Sequence, residues 1–215
     1  MNTPNKAAWR TLLRARRQAT YDAAGNLTAT VSSTATVDQE TVGRDLARTG
    51  LAFLDSLGAG ESVCAYVSMA GEPPTDQLLQ ILFGSGRKVY VPVCEPSHQL
   101  SWTPWYPAVP MVRSAFAPVM EPIGPRLPFE RLETVSAVLI PALAVDFTGM
   151  RLGQGGGYYD RFLPSNTTIP VAALVYEHEV FPAGQLPHNE LDAPVNYALT
   201  PDRYQALGTP AEPLP

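Results

Sequence analysis

The sequence predicts a single α/β domain: a three-layer arrangement with a mainly parallel sheet and helices on both faces. Three observations predict it. Apolar runs of strand length alternate with segments of helical period over most of the 215 residues, the order that builds parallel sheets through helical crossovers. The run 62–67 is nearly continuous rather than alternating, which is how a strand buried on both faces reads. No internal repeat appears and no break in composition divides the chain, so its length gives one domain with a substantial core. Apolar content of 45% with 16% charged residues is that of a globular protein, and a net charge of −5 argues against nucleic acid or an acidic membrane as the partner.

Taken in order, Thr3 and Pro4 supply a cap and a first-turn proline and predict a helix over 4–19. Trp9, Leu12, Leu13 and Arg16 mark one face of it. Lys6, Arg10 and Arg14, spaced four apart, lie on a neighbouring face, which as a bare pattern is a solvated basic surface. Residues 21–37, rich in Ala, Thr and Ser, are expected to be a loop insertion. Val42, Leu46, Leu54 and Leu57 set a second helix over 38–57, ended by Gly58 and Gly60.

The strand at 62–67 leads into a loop over 68–75 and then a helix over 75–83. Loops leaving the carboxyl ends of parallel strands are where α/β sheets bind ligands, although Glu72 on this one is, as a bare loop carboxylate, simply a solvated group. Strands at 88–93 and 100–105 are expected to pair antiparallel after a turn near Pro96. Trp102, Trp105 and Tyr106 suit either a flat ligand ring or the core and its rim. Cys64 and Cys94 sit in short apolar runs without metal-type spacing, the pattern of buried free thiols.

The stretch 138–162 holds the densest chemistry. It passes from an apolar strand through Thr148-Gly149 to RLGQGGGYYDRF at 151–162, with four glycines in the five positions 153–157. Glycines this close let backbone amides approach an anion with no Cβ in the way, and the helix that follows adds its positive end. Neither common phosphate signature fits: Tyr158 stands where the dinucleotide pattern needs glycine, and no Gly-Lys-Ser/Thr follows. Arg151 just before the loop and Asp160 just after it bracket it with a phosphate donor and a candidate Mg²⁺ carboxylate.

Beyond the loop, a short helix over 158–163 ends at Pro164, and 169–176 forms the next strand. Glu177-His178-Glu179 resembles a metal triplet only superficially, because alternating side chains of an extended chain point to opposite sides; a solvated loop is expected. His188 has no Ser or Cys nucleophile motif beside it and belongs on the surface. Residues 202–215 are expected to be a tail.

The segment 151–162, preceded by PALAVD at 141–146, resembles the signature of the 5-formyltetrahydrofolate cyclo-ligases, also called methenyltetrahydrofolate synthetases. The resemblance runs from Lys6 to about Thr200, interrupted at 21–37. It implies ATP-dependent cyclisation of 5-formyltetrahydrofolate to 5,10-methenyltetrahydrofolate, with phosphorylation of the formyl oxygen and release of ADP and phosphate.

By the same resemblance, Lys6, Arg10, Arg151, Leu152, Gly153, Gln154, Gly155, Gly156, Gly157, Tyr158 and Tyr159 bind ATP. Val67, Glu72, Gln154, Gly155, Gly156, Gly157 and Tyr158 hold the folate, Arg151 and Tyr158 are catalytic, and Asp160 and Asp192 hold Mg²⁺. The chain departs from the family in two places: Asn196 stands where a second Asp is common, removing a charge near the presumed metal, and Ala117 replaces a glycine in the segment 112–128. A cytoplasmic enzyme acting on small molecules, with neither nucleic acid nor membrane as partner, is the expectation. Two other classes remain open: a non-catalytic nucleotide- or folate-binding relative, and a sugar-phosphate isomerase or CoA-transferase-like enzyme on a related sheet.

Overall fold

Strong helix formers fill helix α1 (Lys6–Thr20), whose inward face is set by a step of four, Trp9, Leu13 and Arg17. Leu13 and Arg17 are buried while Leu12 is exposed, so the packed face lies one residue round from the expected Trp9, Leu12, Leu13 and Arg16. The computed structural model describes residues 5–20, 38–58, 60–165 and 168–208; the cap expected at Thr3 and Pro4, the insertion at 21–37 and the end of the tail at 209–215 lie outside the described residues. Helix α2 (Gln39–Ser56) begins at Asp38, whose carboxylate accepts the Thr41 amide at 2.6 Å. It stops just before Gly58, which has a positive φ of 90°.

The chain continues as β1 (Ser62–Cys64), α3 (Asp76–Gly84), β2 (Lys88–Glu95) and β3 (Gln99–Trp105). The small hairpin β4 (Met111–Arg113) and β5 (Met120–Pro122) precedes β6 (Val135–Pro141), β7 (Ala144–Asp146) and β8 (Arg151–Leu152). Then come α4 (Tyr158–Phe162), β9 (Val171–Leu174), β10 (Val180–Phe181), β11 (Tyr197–Leu199) and β12 (Tyr204–Ala206).

Seven strands form the central sheet in the order β12-β11-β9-β6-β1-β2-β3. The five inner strands are parallel and both edges, β3 on β2 and β12 on β11, are antiparallel. The expected pairing of 88–93 with 100–105 is present. Residues 204–206, expected as tail, are instead the edge strand β12.

Side chains alternate along β6. Ala137 and Leu139 join α2 and α3 in one apolar cluster, while Val138 and Ile140 join the other face, with Trp102, Phe129, Phe162 and Leu163. Both faces of the inner strands are therefore dry, which is why these runs read as continuous rather than alternating. One face carries α2 and α3; the other carries α4, short 3-10 turns and loops. Helix α1 packs at the end of the sheet on a second small sheet of order β10-β7-β8.

From β1 the chain crosses to β2 on one side and later returns to β6 on the other, so the strand order reverses at the β1–β6 junction. That reversal leaves a crevice at the carboxyl ends of these strands.

The turn between β7 and β8 is fixed from two sides. Buried Asp146 accepts the Thr148 amide and hydroxyl on one oxygen, and the Gly184 and Leu186 amides on the other. Gly149 has a φ of 87°, and a Cβ there would stand 2.5 Å from the Val195 carbonyl oxygen. Gly149→Ala therefore combines a left-handed backbone with a backbone clash and is expected to destabilise the fold by about 2 kcal/mol or more, read as a lowered midpoint in urea.

Candidate active site

Segments far apart in sequence meet at the β1–β6 crevice: the exit of β1, the end of β2, helix α1, the loop 153–157 and the segment 189–192. They enclose a cavity of about 830 Å³, toward the upper end of the range for small-molecule sites. Every residue named above for ATP, folate or metal lines it: Lys6, Arg10, Val67, Glu72, Arg151, Leu152, Gly153, Gln154, Gly155, Gly156, Gly157, Tyr158, Tyr159, Asp160 and Asp192.

The glycine loop is held by its carbonyls. Arg10 Nε donates to the Gly153 carbonyl at 2.9 Å, and Arg14 Nη2 to that of Gln154 at 2.7 Å. The backbone N–H groups of residues 153–157 have no hydrogen-bond partner among the described residues, which leaves them as donors for a ligand. Gly155 and Gly157 have φ of 102° and 71°, conformations that glycine adopts freely and other residues do not. The expected contribution from a helix dipole is small, because α4 is a single turn of five residues. Donor amides, rather than a macrodipole, are what the loop offers.

Helix α1 supplies the opposite wall. Lys6 pairs with Asp192, whose carboxylate also accepts the Asn189 amide at 2.6 Å. Burial works against ionisation of Asp192, but these two bonds outweigh it and hold the carboxyl below its usual range. Arg151, almost wholly buried at the cavity floor, donates to Asp160 at 2.7 Å and to the Ala193 carbonyl. Each candidate metal carboxylate thus carries a basic partner.

Glu72 corrects the expectation of a solvated loop carboxylate: it is 5% exposed. One oxygen accepts the Met69 amide at 3.0 Å, and the Gln154 side chain lies 3.5 Å from the other. Burial pushes its carboxyl above the usual range, against the pull of the Met69 bond and Arg17. Tyr158 donates its hydroxyl to the Phe116 carbonyl at 3.1 Å. Burial raises both Tyr158 and Tyr159, so each phenol is a neutral donor.

Other residues enter unannounced. Arg14, Cys94, His98, Leu191 and the segment 116–120 also line the cavity. Arg14 carried a signal, its position one turn beyond Lys6 and Arg10; the rest did not. Cys94 is a buried free thiol, as is Cys64, and burial with the nearby Glu121 carboxylate pushes Cys94 up to about 12, an unreactive thiol at neutral pH.

Several expectations change. Trp102, Trp105 and Tyr106 do not line the cavity: Trp102 is fully buried against Phe129 and Phe162, and Trp105 packs on Phe83. Glu179 is not in a solvated loop but buried, bound through both oxygens by Arg17 at 2.6 and 2.8 Å. His188 is exposed, as expected. Asn196 lies away from the cavity, its side-chain oxygen accepting the Val171 amide at 2.9 Å at the start of β9, so no charge is lost near Asp160 or Asp192. Ala117 takes its turn without a positive φ, which among described non-glycine residues is confined to Ser97, His98 and Ala108.

The sequence profile of the 5-formyltetrahydrofolate cyclo-ligase family matches residues 2–201. The 5-formyltetrahydrofolate cyclo-ligase of Mycolicibacterium smegmatis is 36% identical over 151 residues, covering 67% of this chain and 76% of that protein. That of Escherichia coli K12 is 31% identical over 147 residues, covering 66% and 79%. The fold is similar to that of the Aquifex aeolicus 5,10-methenyltetrahydrofolate synthetase solved by NMR, with a TM-score of 0.66 at 22% identity over 97% of this chain and 96% of the other. It is also similar to a 5,10-methenyltetrahydrofolate synthetase from Mycoplasma pneumoniae, with a TM-score of 0.66 at 15% identity, covering 93% and 100%.

Proposed function

Because the chain belongs to the 5-formyltetrahydrofolate cyclo-ligase family, an ATP-dependent ring-forming ligase family, we propose that its cavity aligns the formyl oxygen of 5-formyltetrahydrofolate with the γ-phosphate of ATP. The observation that carries this reading is the glycine loop, whose five consecutive amides lack partners among the described residues beside Lys6, Arg10 and Arg151. Such a cradle suits an anion with several oxygens.

A formamide oxygen does not leave as oxide at neutral pH. In the proposed sequence its lone pair attacks the γ-phosphorus and ADP departs with the bridging oxygen's electrons. The N10 amine then attacks the activated formyl carbon and loses its proton, and the C–O bond breaks to expel phosphate, leaving the cationic methenyl bridge. The protein's part is alignment and neutralisation of charge. Arg151 and the amides of 153–157 meet the phosphates, Lys6 and Arg10 hold the nucleotide, and Tyr158, Val67 and Glu72 hold the folate.

Asp160 and Asp192 would hold Mg²⁺ as two partly exposed carboxylates lining the cavity. Among the described residues no group of three or more His, Cys, Asp or Glu forms a cage, an arrangement suited to a cation that takes most of its oxygens from phosphate and water. When bound, Mg²⁺ neutralises phosphate charge. Lys6 and Arg151, which now pair with these carboxylates, then have charge to direct at the nucleotide.

The test is the absorbance of the methenyl product with and without ATP. Product should form only with ATP; product without it, or none with it, overturns the reading. Asp160→Asn and Asp192→Asn are each expected to raise the Mg²⁺ concentration for half-maximal rate by about tenfold, and an unchanged titration removes that residue from the metal site.

A further inference from the structure

Arg14 has no part in the roles above, yet it makes two bonds to the glycine loop. It stands one turn beyond Arg10 on α1, and the two guanidinium groups grip successive carbonyls, Arg10 that of Gly153 and Arg14 that of Gln154. The loop lies close against this wall, since a Cβ at Gly155 would stand 3.5 Å from the Arg10 guanidinium. Leu13 and Arg17 of the same helix are buried, so the spacing of the two donors is that of a packed, rigid element. The second bond of Arg14 is of another kind: its Nε donates to the side-chain oxygen of Gln154 at 3.0 Å.

That bond decides which way the Gln154 amide faces. A guanidinium has donors only, so the atom it meets must be the amide oxygen, and the amino group must point elsewhere. It points to Glu72: the Gln154 nitrogen lies 3.5 Å from one oxygen of that buried side chain, whose other oxygen accepts the Met69 amide at 3.0 Å. Donor meets acceptor at each link, from the exposed Arg14 to the cavity interior. An amide turned over would set its oxygen against Glu72, acceptor against acceptor.

We propose that Arg14 is a positioning residue for both halves of the site. Its fork holds the residue 154 carbonyl, and with it the loop amides, for the nucleotide; the same fork orients the Gln154 amide toward Glu72 for the folate. The inference rests on the reading above, in which Gln154 and Glu72 hold the folate and the loop amides hold ATP. Two competing roles exist for a guanidinium that itself lines the cavity: direct contact with a ligand, and a plain tether between α1 and the loop.

Gln154→Met separates them, because methionine keeps the backbone carbonyl and the unbranched shape of the side chain while removing the amide. With the full chain, two dissociation constants are measured in a double-mutant cycle: 5-formyltetrahydrofolate without nucleotide, and a non-hydrolysable ATP analogue with Mg²⁺ without folate. Arg14→Ala should weaken both about fivefold. In the Gln154→Met background the same substitution should still weaken the ATP analogue about fivefold, but should change folate binding by less than about twofold. Arg14→Lys keeps the charge but not the fork and should recover at most one of the two affinities. Arg14 is exposed and alanine is the best helix former, so Arg14→Ala should melt with the unaltered protein; if it melts early, the lysine variant carries the test.

A folate effect equally large in the Gln154→Met background means that Arg14 touches the folate or only tethers the loop, and overturns the proposal. Recovery of both affinities by lysine, or unchanged binding in Arg14→Ala, overturns it too. If Gln154→Met and Glu72→Gln weaken folate binding while the effect of Arg14 is independent of Gln154, the folate reading stands and the role of Arg14 falls. Folate binding unchanged in both of those variants removes that reading, and this inference with it.

Discussion

Arg151→Ala is expected to lower kcat/KM for ATP by about 30- to 1,000-fold, corresponding to ~2–4 kcal/mol, the usual loss when a charged donor is removed from a water-poor site. The side chain is 4% exposed at the cavity floor. Among the described residues its bonds go to Asp160 and Ala193, so further N–H groups of its fork are available to a phosphate. Arg151→Lys keeps charge but not the fork and should fall between the two. The check is the initial rate of methenyl formation against ATP concentration, alongside thermal melting. A variant that melts early but keeps its kcat/KM would make Arg151 only a tether for Asp160 and the 193 segment.

Trp102→Ala should have the largest effect on stability, about 3–5 kcal/mol, measured as the shift of the urea midpoint at unchanged slope. The ring is fully buried, with ring centres of Phe162 and Phe129 at 5.3 and 5.9 Å. Its indole nitrogen has no partner among the described residues, so Trp102→Phe removes an unsatisfied donor along with some volume and should cost much less. Phe162 belongs to α4, which carries Tyr158 and Asp160, so the loss of Trp102 should also weaken ATP binding. A loss below about 1 kcal/mol would mean that the layer under α4 collapses around the vacancy.

What the sequence made legible was local. The nearly continuous apolar run at 62–67 declared a two-sided strand because both faces of β1 are covered, Val63 on one and Cys64 on the other, and the glycines at 153–157 declared a bare backbone because side chains there would stand between the amides and a ligand. The antiparallel pair at 88–105 was legible from its strand lengths and the turn at Pro96.

The interior of the site was harder to see. On α1 the difference between Arg16 outward and Arg17 inward is one step of about 100°, and it is decided by where Glu179 sits, 162 residues away. Glu179 in turn looks like a loop carboxylate until α1 packs over it. Cys94, His98 and the segment 116–120 line the cavity because the β3 edge and the β4–β5 hairpin lie beside it, a tertiary placement with no local signal. Asn196 seemed to remove charge from a metal site because its distance from Asp192 along the chain was known and its direction was not.

The ion pair between Lys6 and Asp192 joins residues 186 positions apart. During synthesis β1, β2, β6 and β9 can assemble while the cavity wall at Lys6 is still missing its carboxylate, so completion of the proposed ligand site has to be among the last events of folding. A ribosome stalled short of residue 192 should therefore hold a nascent sheet in which Lys6 still lacks the carboxylate it pairs with.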